Sequence, residues 1–561
     1  MRSKFIFNIV IPLLIIIGLI RCANVGQPTG GPRDLQPPIL ISTQTPDQSL
    51  NFNQDKISFN FDEYVKVEDI KKQLIITPSI EDDRYNIKVK NNVVTLEFKD
   101  KLQENTTYSI NFGEAIRDIT ESNKARNIKF GFSTGSYIDS LSISGKITTL
   151  LRYQPVQDVV VGLYDANDTL NILNSRPIYF SKTDSAGNYQ IENIKNNSYR
   201  IYATVDKNNN LRNDPLTEAY GFKGEIIQLD SSISNLNIPI YKMDSRNLKI
   251  QSARPDGSYY LIKFNKPVNE YILQPVDNEV ILFSSLVEDN KTLRIYNTIT
   301  KDSIEANLNV KDSLDQELNY SFNLKFIESR KVPEPFNFTI TPSENEIKEN
   351  YKATLIFNKP IKEVLTDSIF FQYDSLNIDY INPEDEISLN ENRDRLTIRK
   401  KLSADMVTKS SATEVSSRPS PRSLNSGSLN DGTVRLYLGP GSFVSIENDS
   451  SKILDKKYKF TNPQEVGTIE GTISTEQDSF IVQLLDKGYK VIDELRNQRN
   501  YKFNNVKPGD YRIRILVDND NDGTWDPGNI HEYKEPEDVF FHDEIISIRA
   551  NWERTDVNIN L

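Results

Sequence analysis

Acidic side chains recur at alternate positions near the end of the chain, at Asp518, Asp520, Asp522 and Asp526. Together with Thr524 they place oxygen atoms at the first, third, fifth, seventh and ninth positions of a loop whose sixth residue is glycine. Calcium loops use this ligand spacing, because carboxylates replace the water shell of the ion and glycine permits the sharp turn. The spacing predicts a structural Ca²⁺ site. A solvated turn rich in Asp, Asn and Gly is the alternative.

The loop departs from the EF-hand in two respects. Its twelfth position is Asn529, where an EF-hand has a bidentate glutamate, and Glu532 is the nearest acidic substitute. The loop also follows an alternating, strand-like run at 511–517, whereas an EF-hand loop lies between helices. The resemblance to the EF-hand therefore covers the loop only.

A weaker copy of the loop lies earlier in the chain. Its oxygen-bearing residues have the same spacing and are Asp206, Asn208, Asn210 and Asp214. Two of the acids are replaced by asparagines and the glycine by Leu211, while Glu218 follows a few residues later. Lower charge predicts weaker calcium binding at this copy.

Residues for catalysis are scarce. The chain has two histidines, His531 and His542, and neither has the spacing of a catalytic triad or a zinc motif. We interpret His531 as a surface residue beside the acidic loop. Trp525 is interpreted as a pin that holds the loop to its domain, with a sugar-stacking platform as the alternative. The sequence therefore predicts a protein that is not an enzyme, and an envelope hydrolase with carboxylates in an interdomain cleft is the competing hypothesis.

The elements that hold the two loops are themselves repeated. Asn188-Tyr189 and Tyr199-Arg-Ile201 return as Asn500-Tyr501 and Tyr511-Arg-Ile513, at a constant offset of 312 residues, as from Asn188 to Asn500. Each copy consists of short alternating strands joined by turns of Gly, Asn and Asp, which is typical of a small β-sandwich.

The repeated segment also resembles a known family. Its pattern is Gly145-Lys-Ile147, then Thr183-Asp-Ser-Ala-Gly187-Asn-Tyr-Gln-Ile191, then Tyr199-Arg-Ile-Tyr-Ala203. This pattern resembles carboxypeptidase-regulatory or transthyretin-like domains. The resemblance implies that the tyrosine-rich strand packs into the core.

A second type of unit contains the phrase Phe-Asn-Lys-Pro, at Phe264-Asn-Lys-Pro267 and at Phe357-Asn-Lys-Pro360. Phe61-Asp-Glu-Tyr64 takes the same place in an earlier unit, and Thr45-Pro46 and Thr341-Pro342 precede two of the three. These features resemble the bacterial Ig-like domain first described in surface-layer proteins. Proline after Phe-Asn-Lys indicates the end of a strand, because proline cannot donate to an inner ladder.

These observations predict an all-β chain of tandem small β-sandwich domains. The predicted ranges are a signal peptide at 1–21, a tether at 22–35, an Ig-like domain at 36–135, a transthyretin-like domain at 139–242, a divergent Ig-like domain at 245–330, an Ig-like domain at 331–463 and a second transthyretin-like domain at 464–561. The stretch 403–432 is too polar to contribute to a core and is predicted to be a disordered insertion.

The N-terminus predicts export and lipidation. Arg2 and Lys4 precede an apolar core at 5–20, and Cys22 follows as the only cysteine in 561 residues. Leu-Ile-Arg-Cys22 resembles a lipobox, and the stretch from Cys22 to Asp34 resembles the mature start of Bacteroidetes lipoproteins with bacterial Ig-like domains. An uncleaved membrane anchor or an incidental cysteine is the alternative.

Composition and charge bound the partners. The net charge of −12 argues against nucleic acid, because phosphate binding needs a basic face. The lipid anchor makes the membrane one expected partner, and envelope proteins or glycans are the others. We therefore expect a non-catalytic protein anchored to the outer membrane, either as a scaffold or as a binding and adhesion module. The sequence leaves open which face of that membrane the protein occupies.

Overall fold

The computed structural model describes residues 33–126, 128–327, 332–374, 377–406 and 433–561. Regular structure in these ranges is nearly all β-strand, arranged in many small sheets. The structure thus confirms the predicted all-β chain of tandem Ig-like β-sandwiches. The predicted signal peptide, Cys22 and most of the tether and of the insertion lie outside the described residues.

The first unit contains one short helix, α1 (Ile70–Gln73), and nine strands. The strands are β1 (Leu40–Thr43), β2 (Lys56–Phe61), β3 (Val65–Val67), β4 (Ile75–Thr77), β5 (Tyr85–Lys90), β6 (Val93–Phe98), β7 (Thr107–Asn111), β8 (Ile116–Asp118) and β9 (Lys129–Ser133). A sheet of order β1-β2-β6-β5 faces one of order β4-β7-β9, and β3 pairs with β8. Alternation along β2 buries Ile57, Phe59 and Phe61 between the sheets.

The second unit contains β10 (Leu141–Thr149), β11 (Val160–Asp165), β12 (Tyr179–Lys182), β13 (Asn188–Ile194), β14 (Asn197–Thr204), β15 (Tyr220–Phe222), β16 (Ile227–Leu229) and β17 (Ile238–Ile240). One sheet has the order β13-β10-β17 and the other β12-β11-β14-β15, with β16 also paired to β14.

The fifth unit contains β36 (Gly467–Ser474), β37 (Phe480–Asp486), β38 (Val491–Arg496), β39 (Asn500–Val506), β40 (Gly509–Val517), β41 (Val539–Phe541), β42 (Ile546–Ile548), β43 (Glu553–Arg554) and β44 (Ile559–Asn560). It repeats the topology of the second unit, because its sheets have the orders β39-β36-β43 and β38-β37-β40-β41, with β42 also on β40.

Details of the register support the repeat. Tyr199 and Tyr511 start the buried part of equivalent strands, and each hydroxyl donates to the carbonyl four residues earlier, at 2.8 Å in both units. Gly145 and Gly471 pair with the tyrosines of the neighbouring strand. A Cβ atom on Gly145 would lie 2.1 Å from a carbonyl oxygen, which explains why this position of the repeat is glycine.

The third unit contains β18 (Ile250–Asp256), β19 (Tyr259–Phe264), β20 (Glu270–Pro275), β21 (Ser284–Val287), β22 (Thr292–Tyr296), β23 (Ile304–Lys311) and β24 (Glu317–Leu324). The sheet β18-β19-β22-β21 and the sheet β20-β23-β24 enclose its core.

The fourth unit contains β25 (Phe338–Thr341), β26 (Glu346–Ile347), β27 (Asn350–Phe357), β28 (Ile361–Val364), β29 (Ile369–Gln372), β30 (Ile378–Tyr380), β31 (Ile387–Leu389), β32 (Arg395–Lys401), β33 (Thr433–Leu438), β34 (Phe443–Ser445) and β35 (Leu454–Phe460). Two short 3-10 turns, Thr366–Ser368 and Pro463–Glu465, complete its regular structure. Its sheets have the orders β25-β27-β32-β31 and β26-β35-β33-β29-β30, and β28 pairs with β34.

The start of the predicted insertion is part of this fourth core. Met406 packs against the core cluster, and the Ser403 amide donates to the Tyr373 hydroxyl at 3.2 Å. The prediction that the disordered insertion begins at residue 403 is therefore wrong for its first four residues. Polarity alone did not reveal a single anchoring methionine within a polar stretch.

The lysines of the two Phe-Asn-Lys-Pro phrases are buried ion-pair partners. Lys266 is 2% exposed and pairs with Asp312, while Lys359 is 0% exposed and contacts Glu447 and Asp449 at 2.6 and 2.7 Å. Burial of a charge requires this pairing. Both phrases lie at strand ends, because β19 ends at Phe264 and β27 at Phe357, as proline predicts.

The first unit has the opposite charge at this place. Glu63 occupies the lysine position, and Asp118 occupies the position of Asp312. The backbone N–H of each of these two aspartates donates a hydrogen bond to a carbonyl four or five residues later, which closes its loop. Burial raises the pKa of Glu63, and Asp118 raises it further. This unit therefore contains two neighbouring carboxyl groups where the third unit has an ion pair.

Candidate functional site

The acidic loop begins directly after β40 and is organised around Asp518. This carboxylate is 3% exposed and accepts the amides of Asp522 and Gly523 at 3.2 and 3.0 Å. Asn521 and Gly523 have positive φ values of 59° and 89°, which is the backbone conformation that asparagine and glycine adopt at least cost. The local sequence thus folds the loop tightly around one buried carboxylate.

Three of the predicted ligands lie together. Asp518, Asp520 and Asp522 each offer a carboxylate oxygen, and these atoms lie within 4.8 Å of one another. Among the described residues, they are the one group of His, Cys, Asp and Glu side chains with such convergence. Carboxylate oxygens in this arrangement are suited to Ca²⁺.

Thr524 and Asp526 are placed differently from the prediction. The Thr524 hydroxyl donates to Asp522 at 2.8 Å, so this side chain supports a neighbouring carboxylate. Asp526 contacts the ammonium group of Lys534 at 2.6 Å, and the same ammonium contacts Asp520 at 3.2 Å. The hydrogen bonds that this ammonium donates to Asp526 and Asp520 raise the pKa of Lys534. A cation of the chain itself therefore bridges two of the predicted calcium ligands.

Asn529, at the twelfth loop position, contacts another unit and not the acidic cluster. Asn529 is 2% exposed, its amide group donates to the Leu314 carbonyl of the third unit at 2.8 Å, and its side-chain oxygen accepts the His531 amide. Glu532 is exposed. His531 lies at the surface and contacts the Ser245 carbonyl at 2.8 Å, again in the region that leads into the third unit. This part of the loop serves contact between units.

The glutamate that closes the loop is Glu537, which the spacing did not indicate. Its two carboxylate oxygens accept the amides of Asn519 and Asp526 at 2.6 and 2.8 Å, and the residue is 5% exposed. Burial raises the pKa of Glu537, and the charges of Asp526 and Asp520 add to this effect. Glu537 lies 19 residues after Asp518, beyond the span of any twelve-residue loop.

The weaker loop has the same core. Asp206 accepts the amides of Asn210 and Leu211 at 3.0 and 2.9 Å, and Leu211 adopts the positive φ that Gly523 has in the other copy. The carboxylate of Asp214 caps the turn that follows, through the amide of residue 216. Asn208 accepts the Asn210 amide at 3.1 Å. The two loops share one backbone conformation, which explains why the spacing of their polar residues is the same although the number of acidic residues differs.

Trp525 holds the loop to its own unit. Its indole nitrogen donates to the Glu537 carbonyl at 3.2 Å, and its ring packs edge-on against Tyr241 of the second unit at 6.3 Å between centroids. This supports the pin interpretation. The other histidine, His542, has side-chain hydrogen bonds only to nearby Glu544 among the described residues, where Nδ1 meets the carbonyl and the amide of that residue.

The first unit is similar to a known domain family. Residues 34–134 match the model of a bacterial Ig-like domain, whereas no curated protein matches the chain. Similar solved structures include the major pilin subunit of Bacillus cereus, with 11% identity over 75% of this chain and 98% of that chain and a TM-score of 0.13. Another is SGBP-B of the Bacteroides ovatus mixed-linkage glucan utilization locus in complex with a heptasaccharide, with 9% identity over 73% of this chain and 91% of that chain and a TM-score of 0.15.

The helices of the chain bear on whether it could cross a membrane. Within the described ranges, none has both the length and the apolar character that crossing a bilayer requires.

Proposed function

We propose that this chain is a lipid-anchored, non-catalytic cell-envelope protein that acts as a β-sandwich scaffold or as a binding and adhesion module. The observation that carries this proposal is the match of residues 34–134 to a bacterial Ig-like domain, directly after the predicted tether. Ig-like sandwiches present loops and sheet faces on a rigid frame, which suits a scaffold or a binding module. The expected partners are envelope proteins or glycans.

The contacts of the first unit support a scaffold. Asn123 donates to the carbonyls of Asp34 and Gln36 at 3.0 and 3.2 Å, so the end of the tether is held on the first unit. The first unit in turn contacts the second, where the Ser79 amide donates to the Ile178 carbonyl at 2.7 Å. An anchored end is thereby connected to the rest of the chain through hydrogen bonds.

The anchor is tested by Cys22→Ser, with Asn24→Ser as the matched control. We expect the cysteine variant to leave the membrane fraction or to remain unprocessed, because its thiol is the proposed acyl acceptor. Detergent partitioning of the Cys22→Ser protein with a lipid-modified mass would contradict the proposal. Protease treatment of intact cells then decides between the periplasmic and the surface face of the outer membrane.

The non-catalytic part of the proposal has its own test. The competing hypothesis is an envelope hydrolase that acts on glycan or peptide with carboxylates in an interdomain cleft. Purified protein is assayed against generic glycosidase, esterase and peptidase substrates, and we expect no turnover above background. Turnover that a single carboxylate substitution abolishes would favour the hydrolase.

We also propose that the second and fifth units are transthyretin-like domains and that the fifth binds structural Ca²⁺. The convergence of Asp518, Asp520 and Asp522 supports the calcium proposal. The contacts of Lys534 with Asp520 and Asp526 set a competing cation beside the same site. Calcium binding would therefore displace the ammonium from Asp520.

A further inference from the structure

The two repeated units allow an internal comparison, because one copy shows which residues the fold requires and the other shows what has been added. In the second unit three residues, 215–217, connect Asp214 to Glu218. In the fifth unit ten residues, 527–536, connect Asp526 to Glu537. Both connections end in a glutamate that closes its loop in the same way. The fold therefore does not require the longer connection.

The longer connection, which we call the strap (residues 527–536), packs on the second unit. Ile530 is 4% exposed and joins an aromatic cluster on the outer face of the second unit's larger sheet. The members of that cluster from the second unit are Tyr164, Ile172, Tyr202, Tyr220 and Phe222. Tyr533 lies against the guanidinium of Arg200, 3.6 Å from its ring centroid. The strap, which belongs to the fifth unit, thus covers an apolar face of the second unit.

Polar contacts fix the position of the strap. Glu535 accepts the Gly224 amide at 2.9 Å and pairs with Lys223 at 2.9 Å. The backbones also approach closely, because a Cβ atom on Gly224 would lie 2.4 Å from the Tyr533 carbonyl oxygen. At its other side the strap is held to the acidic loop through Lys534.

The second unit carries an added segment of its own. Ten residues, 150–159, connect β10 to β11, whereas five residues, 475–479, connect the equivalent strands β36 and β37. Leu150 packs with Leu516 and Val539 on the outer face of the fifth unit's larger sheet. We call residues 150–154 the hairpin segment.

Polar contacts also hold the hairpin segment to the fifth unit. Arg514 donates to the Leu151 carbonyl at 2.9 Å, the Tyr153 hydroxyl donates to the Val539 carbonyl, and Gln154 donates to the Tyr489 hydroxyl at 3.0 Å. Each repeat thus extends one added segment onto the outer sheet face of the other.

We propose that the strap and the hairpin segment form a reciprocal clasp that joins the second and fifth units into one rigid body and fixes the third and fourth units between them. The clasp is cooperative, because the two contacts are reciprocal. The strap of the fifth unit covers the larger sheet of the second unit, and the hairpin segment of the second unit covers the larger sheet of the fifth. The third unit is also held directly by the strap, since Asn529 and His531 contact Leu314 and Ser245. This inference concerns contacts within the chain and does not depend on the lipid anchor or on calcium.

The fourth unit completes the closed path of contacts. The Tyr296 hydroxyl of the third unit donates to the Asn358 carbonyl of the fourth at 3.3 Å. Lys507 of the fifth unit pairs with Glu346 of the fourth at 2.8 Å. Because exposed ion pairs of this kind contribute little, the clasp supplies the main restraint on the arrangement.

The test is hydrogen–deuterium exchange of the full chain carrying Gly224→Ala. The added methyl group collides with the backbone of the strap, so the strap must shift while its own sequence stays intact. Gly509→Ala is the matched control, because its Cβ atom would meet only ordinary contacts at 3.4 Å. We expect about tenfold faster exchange in the strap and, through the reciprocal contact, in the hairpin segment, with β39 and β40 unchanged.

A second variant guards against an effect limited to Gly224. Replacing residues 527–536 by the three residues 215–217 gives the fifth unit the connection that the second unit already uses, so both cores remain intact. We expect the same increase of exchange in the hairpin segment. If the hairpin segment exchanged at the wild-type rate in both variants, the two contacts would be independent and the clasp would be overturned.

Discussion

Glu537 repeats, in the fifth unit, the role that Glu218 has in the second. Each carboxylate accepts the amide that follows the first loop aspartate and the amide of the ninth loop residue, at 2.6 and 2.8 Å for Glu537 and at 2.8 and 2.7 Å for Glu218. Both side chains are buried. Both acidic loops are therefore closed by the same pair of hydrogen bonds within the chain.

The first prediction concerns this closure. Glu537→Gln replaces one accepting carboxylate oxygen by an NH2 group, which is a donor. One buried backbone amide therefore loses its partner, and we expect the free energy of unfolding to fall by about 1–3 kcal/mol. Both tryptophans of the chain, Trp525 and Trp552, lie in the fifth unit, so tryptophan fluorescence during urea unfolding reports on this unit. Glu532→Gln, at an exposed position, is the control. Equal midpoints for the two variants would contradict the prediction.

The second prediction concerns the inverted charge of the first unit. Glu63→Lys recreates beside Asp118 the ion pair that Lys266 forms with Asp312, and we expect stabilisation of the first unit by about 1 kcal/mol. Glu63→Gln is the control, which removes the repulsion without adding a pair. Native-state hydrogen exchange of β2 in the full chain measures the change. Slower exchange in the glutamine variant than in the lysine variant would show that pairing contributes nothing.

The same residue predicts a dependence on pH. The pKa of Glu63 is raised in the folded protein, so between its unfolded value and its folded value the native state binds more protons than the unfolded state. The free energy of unfolding of the first unit therefore falls as the pH rises through this interval. We expect Glu63→Gln to flatten the profile of β2 exchange against pH above about 4.5. An unchanged slope would assign the dependence to other groups.

The third prediction concerns calcium. Free ligand at 100 times its dissociation constant stabilises a protein by about 2.7 kcal/mol. The melting temperature measured by tryptophan fluorescence should therefore be higher with millimolar Ca²⁺ than with chelator. Asp520→Asn should remove most of the difference. Lys534→Gln should increase calcium affinity, because the ammonium contacts Asp520 and Asp526. Mg²⁺ should act less, since it requires a smaller octahedral shell. If every one of these proteins melted identically in calcium and in chelator, the loop would not bind calcium, and Lys534 would be the sole counter-ion of the acidic side chains.

The fourth prediction concerns the insertion. Deleting residues 407–432 and joining the ends by a short turn should change the stability of the fourth unit by less than about 1 kcal/mol, because closure entropy varies slowly with loop length. Extending the deletion to 403–406 should cost more, since it removes Met406 from the core. Differential scanning calorimetry compares the two deletions. A fall of many degrees for the shorter deletion would show that residues 407–432 are structural.

Local patterns predicted the strands and the repeats, because alternation and turn residues leave a signal within a few positions. Gly145, Tyr199 and the two Phe-Asn-Lys-Pro phrases all lie where these patterns place them. Loop spacing also brought Asp518, Asp520 and Asp522 together. All of these features depend on neighbours in sequence, which is why a local pattern can reveal them.

Contacts between distant segments were not predictable in this way. Glu537 was missed because the strap separates it from its loop, and the contact of Asn529 was missed because its partner, Leu314, lies in another unit. Lys534 gave no signal, since a lysine eight residues after the last residue of the spacing pattern is not distinguished from any surface lysine. Pairing across units leaves no periodic trace in either segment.

The contact between Gly224 and Glu535 spans 311 residues of chain, and this separation has a consequence for biogenesis. A chain that emerges from its N-terminus completes the strands of the second unit long before residues 527–536 exist. Until then, the aromatic cluster around Tyr202 and Phe222 has no cover from the strap. Exposed aromatic surface on a partly made chain promotes aggregation. Correct folding of this chain should therefore depend on a holding chaperone until the strap has been made.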